Sequence, residues 1–76
     1  METFDVVGIK QTMRMLEQGQ LREVFVAKDS DYFVIRPLIA MADGKKIPVT
    51  YVDTRKELGR LCGIEIGAAA AGRRRA

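Results

Sequence analysis

The sequence contains no histidine, no tryptophan and a single cysteine, Cys62. Histidine and cysteine dominate zinc sites, and one cysteine cannot close a disulfide within the chain. Without histidine, the chain also lacks the usual general base and a partner that would activate a cysteine nucleophile. We therefore predict a protein that is not an enzyme and needs neither metal nor cofactor. Cys62 is expected to pack as a small apolar residue rather than to react as a thiol.

Long apolar runs are also missing. No stretch approaches the ~20 apolar residues that a membrane-spanning helix requires. The first residues, METFDVV, lack the basic segment and apolar core of a signal peptide. We expect a cytoplasmic protein with no membrane partner. A chain of 76 residues, 47% of them apolar, accommodates one small globular domain with a thin core.

The excess of positive charge is small and confined to one place. The formal net charge is +3, and without Arg73, Arg74 and Arg75 the chain carries equal numbers of basic and acidic residues. We therefore divide the chain into a single domain over residues 1–72 and a basic tail over residues 73–76. The tail either adds non-specific affinity for phosphates or has no role. Bulk charge does not identify a nucleic-acid partner, so the positions of the charges must decide.

Strand and helix patterns alternate along the chain. β-prone runs over residues 4–7, 23–28 and 47–53 predict strands, and the alanine-rich segment after residue 67 predicts a weak last strand. Helical spacing predicts helices that begin at Ile9 and after Thr54, the first residue of a capping box with Glu57. The resulting order, β-α-β-α-β-α-β, predicts an α/β fold in which helices cover a sheet.

The start of the second helix is ambiguous. Asp29, Ser30 and Asp31 are all candidate N-caps, and a helical pattern follows over residues 34–42. Pro37 lies inside this pattern, where proline removes a backbone hydrogen bond. We therefore expect the regular helix to begin close to Arg36 or to bend there.

The first helix begins with an unfavourable charge. Lys10 lies in its first turn, where the helix dipole disfavours a cation. Gly8 allows another backbone to approach, and the N–H groups of Ile9 and Lys10 form a site suited to an anion. Lys10, Gln11 and Arg14 share one exposed face, and these side chains can contact base edges. This face is either a nucleic-acid surface or simply the solvated side of an amphipathic helix.

A second unusual segment follows the third helix. Arg55 and Lys56 again place cations in a first helical turn, and the helix is followed by the loop GIEIG, residues 63–67. Ile64 and Ile66 are separated only by Glu65. Either both isoleucines face the core, or one forms an exposed apolar tip that packs on an unstacked base.

Two blocks of the sequence together resemble a known family. The first is a strand followed by Gly-x-Lys-Gln-Thr and a helix, here Gly8–Thr12; the second is Leu-Gly-Arg-x-x-Gly-Ile-Glu-Ile-Gly, here Leu58–Gly67. These blocks and their separation resemble the bacterial branch of the kink-turn RNA-binding ribosomal protein superfamily, the L-seven-Ae type. The resemblance covers roughly residues 4–71. It implies a three-layer α-β-α sandwich around a four-stranded mixed sheet, and no catalysis.

The resemblance also implies a ligand and a binding site. The ligand is a kink-turn, an RNA bend with tandem sheared G·A pairs beside a bulge. Gly8, Ile9, Lys10, Gln11 and Arg14 would meet the groove at the G·A pairs, and the loop residues would pack on the bulge: Ile64, Glu65 and Ile66. Ile9 stands where the family usually has threonine, Arg14 where lysine is common, and archaeal relatives carry Asn-Glu in place of Lys10-Gln11.

Together these observations predict a monomeric protein that captures the bent form of a structured RNA, such as ribosomal, riboswitch or leader RNA, and not DNA. Two alternatives remain open. The protein could be a resident component of a ribosomal subunit, permanently bound to ribosomal RNA. It could instead be a protein–protein interaction domain built on the same fold.

Overall fold

A computed structural model describes residues 4–75 of the chain, so residues 1–3 of the expected domain and Ala76 of the expected tail lie outside the described residues. Strands and helices alternate in the predicted order. The elements are β1 (Val6–Val7), α1 (Ile9–Glu17), β2 (Leu21–Ala27), α2 (Tyr32–Gly44), β3 (Val49–Val52), α3 (Arg55–Leu61) and β4 (Ala70–Arg74).

The four strands form one mixed sheet in the order β1-β4-β2-β3. Strands β2 and β3 are parallel, whereas β4 runs antiparallel to both β1 and β2. Residues of α1 and α2 share a core cluster with one set of strand residues, and Leu58 of α3 belongs to a second cluster. Successive strand residues point to opposite faces, so the two clusters are the two sides of the sheet. The predicted three-layer α-β-α sandwich is confirmed.

The last strand is longer and more central than the sequence suggested. Strand β4 extends through Arg74 and lies between β1 and β2, so Arg73 and Arg74 belong to the sheet and not to a tail. The small residues of this strand have a packing reason. A Cβ on Gly72 would come within 2.7 Å of the Leu21 side chain. The low strand propensity of alanine and glycine is therefore overridden by tertiary packing.

Arg73 is an internal part of the fold. Its guanidinium lies 4.8 Å from the ring centroid of Phe4 and 5.1 Å from that of Phe25. Its Nη1 donates to Glu23 Oε1 at 3.2 Å. The two phenylalanine rings pack edge to face, with their centroids 4.8 Å apart. The arginine therefore covers an aromatic pair and neutralises a half-buried carboxylate at the same time.

Helix α2 begins earlier than expected. Asp31 caps it by accepting the Phe33 N–H at 2.9 Å, so the helix starts at Tyr32 and Pro37 lies inside it. The expectation of a start near Arg36 was wrong, because the proline removes only one helical hydrogen bond, the one to the Phe33 carbonyl. None of the helices within residues 4–75 meets the length and hydropathy that a membrane span requires.

Asp29 and Thr54 organise the start of helix α3. The Asp29 carboxylate accepts the Arg55 N–H at 2.8 Å, and Thr54 Oγ1 accepts the Glu57 N–H at 3.0 Å. Asp29 therefore contacts α3 rather than capping the helix that follows it in the chain. Since α3 lies on the opposite face from α2, this contact ties the loop after β2 to the far layer of the sandwich.

Candidate nucleic-acid interface

The turn from β1 into α1 is formed by Gly8. Its φ of 104° falls in a region that residues with a side chain rarely adopt, which explains why glycine is required here. The Gly8 N–H donates to the Ala70 carbonyl at 2.8 Å, so the turn is fixed to the beginning of β4. The next residue, Ile9, already belongs to the helix. The first helical turn therefore has a fixed place at one end of the sheet.

The N-terminus of α1 differs from the other two in the described part of the chain. Asp31 caps α2 and Thr54 caps α3, whereas α1 has no side-chain cap. The first turn of α1, like that of α2, also contains no acidic residue. The N–H groups of the first helical turn have no partner inside the helix itself. Together with the helix dipole, they favour an anion at this position.

The predicted polar face of α1 is exposed. Lys10, Gln11 and Arg14 all lie on the solvent side, whereas Thr12 is completely buried. Ile9 is half-buried and packs against the core cluster of α1 and α2. The Ile9 side chain thus anchors the turn to the core. Arg14 belongs to the last turn of the helix, where a cation is favoured. Lys10 alone is therefore unfavourably placed for an isolated helix.

The loop after α3 is folded back tightly onto that helix. A Cβ on Gly59 would overlap the carbonyl oxygen of Ile66, and a Cβ on Gly67 would lie 3.2 Å from that of Arg55. Gly63 has a φ of 80°, which allows the chain to leave the helix in a left-handed turn. The Ala68 N–H donates to the Arg55 carbonyl at 3.0 Å and closes the loop. Each glycine of this sequence block therefore has a separate backbone role.

The two isoleucines of this loop have different environments. Ile64 is half-buried and packs against the core cluster on the α3 side of the sheet. Ile66 is 75% exposed, which makes it the most exposed large apolar side chain among the described residues. Glu65 between them is exposed as well. One isoleucine of this loop therefore packs on the core and the other forms an exposed apolar tip, as the second alternative predicts.

The two candidate segments lie at the same end of the molecule. Gly8 is bonded to Ala70, and Ile66 precedes Ala70 by only four residues. Four residues of chain span at most ~14 Å. The start of α1 and the tip of the loop can therefore contact the same ligand, and together they present cations, an amide side chain and an apolar side chain.

Cys62 lies beside this loop but does not resemble a reactive thiol. It is half-buried, packs against the core cluster of α3, and burial raises its pKa above the usual 9.0. A raised pKa reduces the thiolate fraction at neutral pH. Within residues 4–75, no group of three or more His, Cys, Asp or Glu side chains is arranged to hold a metal ion.

The fold and the position of this surface define a class of small α-β-α sandwich proteins, and comparison with known proteins agrees. Residues 6–76 match the model of the ribosomal protein L7Ae/L30e/S12e/Gadd45 family. An RNA-binding protein of Halalkalibacterium halodurans is 50% identical over 64 residues, which cover 84% of this chain and 78% of that protein. The RNA-binding protein YbxF of Geobacillus stearothermophilus is 48% identical over 86% of this chain and 79% of its own. The chain therefore belongs to the L7Ae/L30e/S12e/Gadd45 family.

Solved structures agree on the fold. A 15.5 kD RNA-binding protein of Giardia lamblia superposes with a TM-score of 0.85 at 20% identity, over 92% of this chain and 59% of that one. This chain thus spans less than two thirds of the Giardia protein. A protein of unknown function from Bacillus halodurans superposes with a TM-score of 0.82 at 26% identity, over 92% of this chain and 70% of that chain.

Proposed function

We propose that this protein is a monomeric, non-catalytic RNA-binding module of the bacterial cytoplasm that recognises kink-turns. The observation that carries the proposal is the uncapped N-terminus of α1, with Lys10 and Gln11 exposed, beside the loop tip at Ile66. Relatives with about half of their aligned residues identical are named RNA-binding proteins, which supports RNA as the ligand class.

The chemistry of the surface suits a bent RNA with exposed bases. The first-turn N–H groups of α1 and the Lys10 ammonium can meet a phosphate, and the Gln11 amide can donate to and accept from a base edge. Ile66 offers an apolar surface to a nucleotide that is not stacked in a helix. A protein that binds only the bent form shifts the RNA population toward that form by its difference in affinity.

The direct test compares two duplexes that differ only in the kink-turn. One carries the tandem G·A pairs and the bulge, and the other has the G·A pairs converted to Watson–Crick pairs. At physiological salt we expect the kink-turn duplex to bind at least about tenfold more tightly, a difference of ~1.4 kcal/mol. Equal affinities would rule out kink-turn recognition.

Variants locate the binding surface. Lys10→Ala and Gln11→Ala should each weaken kink-turn binding, whereas Lys45→Ala should not. Lys45 is also an exposed cation, and it directly follows α2, at the opposite end of the sheet. If Lys10→Ala and Lys45→Ala reduce affinity equally, the contact is only non-specific phosphate attraction. If RNA does not bind and the double exchange of Lys10 and Gln11 leaves a protein partner bound, the domain mediates protein–protein contacts instead.

The ribosomal alternative has its own measurement. A resident subunit protein should sediment with one ribosomal subunit after a high-salt wash, whereas a protein that acts on a separate RNA should be released. Sequencing of RNA crosslinked to the protein in cells would then identify the physiological target.

A further inference from the structure

A second exposed feature lies in the first turn of α2. Tyr32 and Phe33 are 61% and 72% exposed, and their ring centroids are 6.1 Å apart at an interplanar angle of 67°. The Arg36 guanidinium lies 6.0 Å from the Tyr32 centroid and 5.4 Å from that of Phe33. We call these three residues the aromatic turn. Both rings retain most of their exposure although the arginine lies over them.

The rings of Tyr32 and Phe33 do not pack in the hydrophobic core. Neither aromatic residue belongs to either core cluster. The residues by which α2 contacts the core are the buried Ile35, Leu38 and Ala42 and the partly buried Ile39 and Met41. Asp31 fixes the turn, because its carboxylate accepts the Phe33 N–H. The aromatic turn is thus held in place by a cap while its rings face solvent. Side chains of this size are seldom left exposed without a partner when they form a group.

The aromatic turn lies at the same end of the sheet as the candidate interface. The Gly8 N–H donates to the Ala70 carbonyl, and the Ala27 N–H donates to the Ala69 carbonyl at 2.9 Å. The chain therefore leaves β1 and β2 at the same end, and α1 and α2 both begin there. Both helices pack on the same face of the sheet. The first turns of α1 and α2 therefore lie next to each other at this end of the sheet and on the same face.

The charge around the rings favours a nucleic acid over a protein. Arg36 places a cation directly above the rings. Lys28, just before the turn, is paired with Asp53 at 3.4 Å, so Arg36 supplies the positive charge beside the rings. The two nearest carboxylates in the chain are already engaged, since Asp31 caps its own helix and Asp29 accepts the Arg55 N–H. Aromatic rings with an adjacent arginine offer stacking surfaces for bases and a charge for the phosphate.

We propose that the aromatic turn binds single-stranded nucleotides that continue from the end of the kink-turn RNA, with bases stacked on Tyr32 and Phe33 and Arg36 at the backbone. This inference rests on the proposed function. It extends the RNA-binding surface from the residues that would contact the kink-turn to residues that would contact an unpaired flank. The protein would thereby favour kink-turns that lie next to a single-stranded segment.

The test measures the contribution of a flank to affinity. The kink-turn duplex is prepared with blunt ends and with a single-stranded extension of about six nucleotides at each strand end in turn. We expect one extended duplex to bind about tenfold more tightly than the blunt duplex. The variant carrying Tyr32→Ala and Phe33→Ala should lose this gain and keep its affinity for the blunt duplex. Phe33→Tyr, which preserves a stacking ring, should retain the gain.

Tyr51 provides the matched control. It is 50% exposed on the edge strand β3, so Tyr51→Ala removes an exposed ring from another part of the surface and should leave the gain intact. If no extension improves binding, or if Tyr51→Ala abolishes the gain equally, the proposal is overturned. Self-association of the parent protein that the double variant abolishes, without any gain from an extension, would assign the aromatic turn to a second copy of this chain.

Kink-turn recognition and flank binding are tested by separate comparisons, so either proposal can be ruled out without the other. Blunt duplexes with and without G·A pairs report on kink-turn recognition alone, whereas the comparison of extended with blunt kink-turn duplexes reports on the aromatic turn. Thermal unfolding of the double variant verifies that it folds, which is expected because both rings lie outside the core.

Discussion

The Cα of Gly59 faces the carbonyl oxygen of Ile66 so closely that no side chain fits between them. This approach presses the loop after α3 against the helix and determines where the exposed tip lies. The contact therefore couples the stability of the fold to the geometry of the candidate interface.

Replacement of Gly59 by alanine should destabilise the protein. The new Cβ would displace backbone rather than a flexible side chain, so we expect a loss of about 1–3 kcal/mol. Thermal unfolding monitored by circular dichroism measures the effect. Gly44→Ala is the control, because a Cβ at that helical position meets no atom within 4 Å. Equal melting temperatures for the two variants would show that the loop yields without cost.

Arg73 should contribute to stability although its arginine neighbours do not. Arg73→Ala removes the contact with Glu23 and uncovers Phe4 and Phe25, so we expect a loss of about 1–2 kcal/mol in urea unfolding. Arg74→Ala should stay within about 0.5 kcal/mol of the parent, because its side chain is exposed. If both variants unfold at the parent's midpoint, the stacked arginine adds nothing to the fold.

The two isoleucines of the loop should separate stability from binding. Ile64→Ala removes part of a packed side chain and should cost about 1–2 kcal/mol, less than a fully buried isoleucine. Ile66→Ala should leave unfolding unchanged within about 0.5 kcal/mol while it weakens kink-turn RNA binding about tenfold. Both quantities are measured on the same preparations. An Ile66→Ala variant with full RNA affinity would remove the loop tip from the interface.

The Cys62 thiol should ionise at a higher pH in the folded protein than in the unfolded chain. Burial raises its pKa above the usual 9.0, so between the two pKa values the folded state holds a proton that the unfolded state has lost. Stability therefore falls as the pH rises through this window, and below it the thiol has no effect. The rate of alkylation by iodoacetamide against pH measures the shift. Identical profiles in buffer and in concentrated urea would contradict it.

The order of the strands and helices and the exposed face of α1 could both be predicted from the sequence. Alternating strand and helix patterns predict the layers, and the spacing of Lys10, Gln11 and Arg14 predicts a common face, because both depend on local periodicity. The sequence alone could not predict which isoleucine of the loop after α3 is buried and which is exposed. Ile64 and Ile66 are equally apolar and lie in an irregular segment, so only the contacts of the folded chain separate them.

The structure differs most from the sequence prediction in the last strand. Alanine and glycine followed by arginines are typical of a weak strand and a solvated tail, so the sequence places Arg73 in a tail. The centre of this sheet instead requires small residues, and the partners of Arg73 are Phe4, Phe25 and Glu23, all at least 48 residues away in the chain. Such long-range contacts leave no local pattern. The sequence does not predict the aromatic turn either, because the exposure of Tyr32 and Phe33 depends on how α2 packs against the sheet.

The position of β4 also affects how the protein is made. This strand is synthesised after the other three, yet β1 joins the sheet only through it. The turn at Gly8 is translated before β4 but is bonded to Ala70, so it can reach its final geometry only once residues 70–74 are available. A chain synthesised only as far as β3 can pair β2 with β3 but cannot yet complete the turn into α1. The candidate interface can therefore form only after β4 has been synthesised, because this strand links β1 to the rest of the sheet.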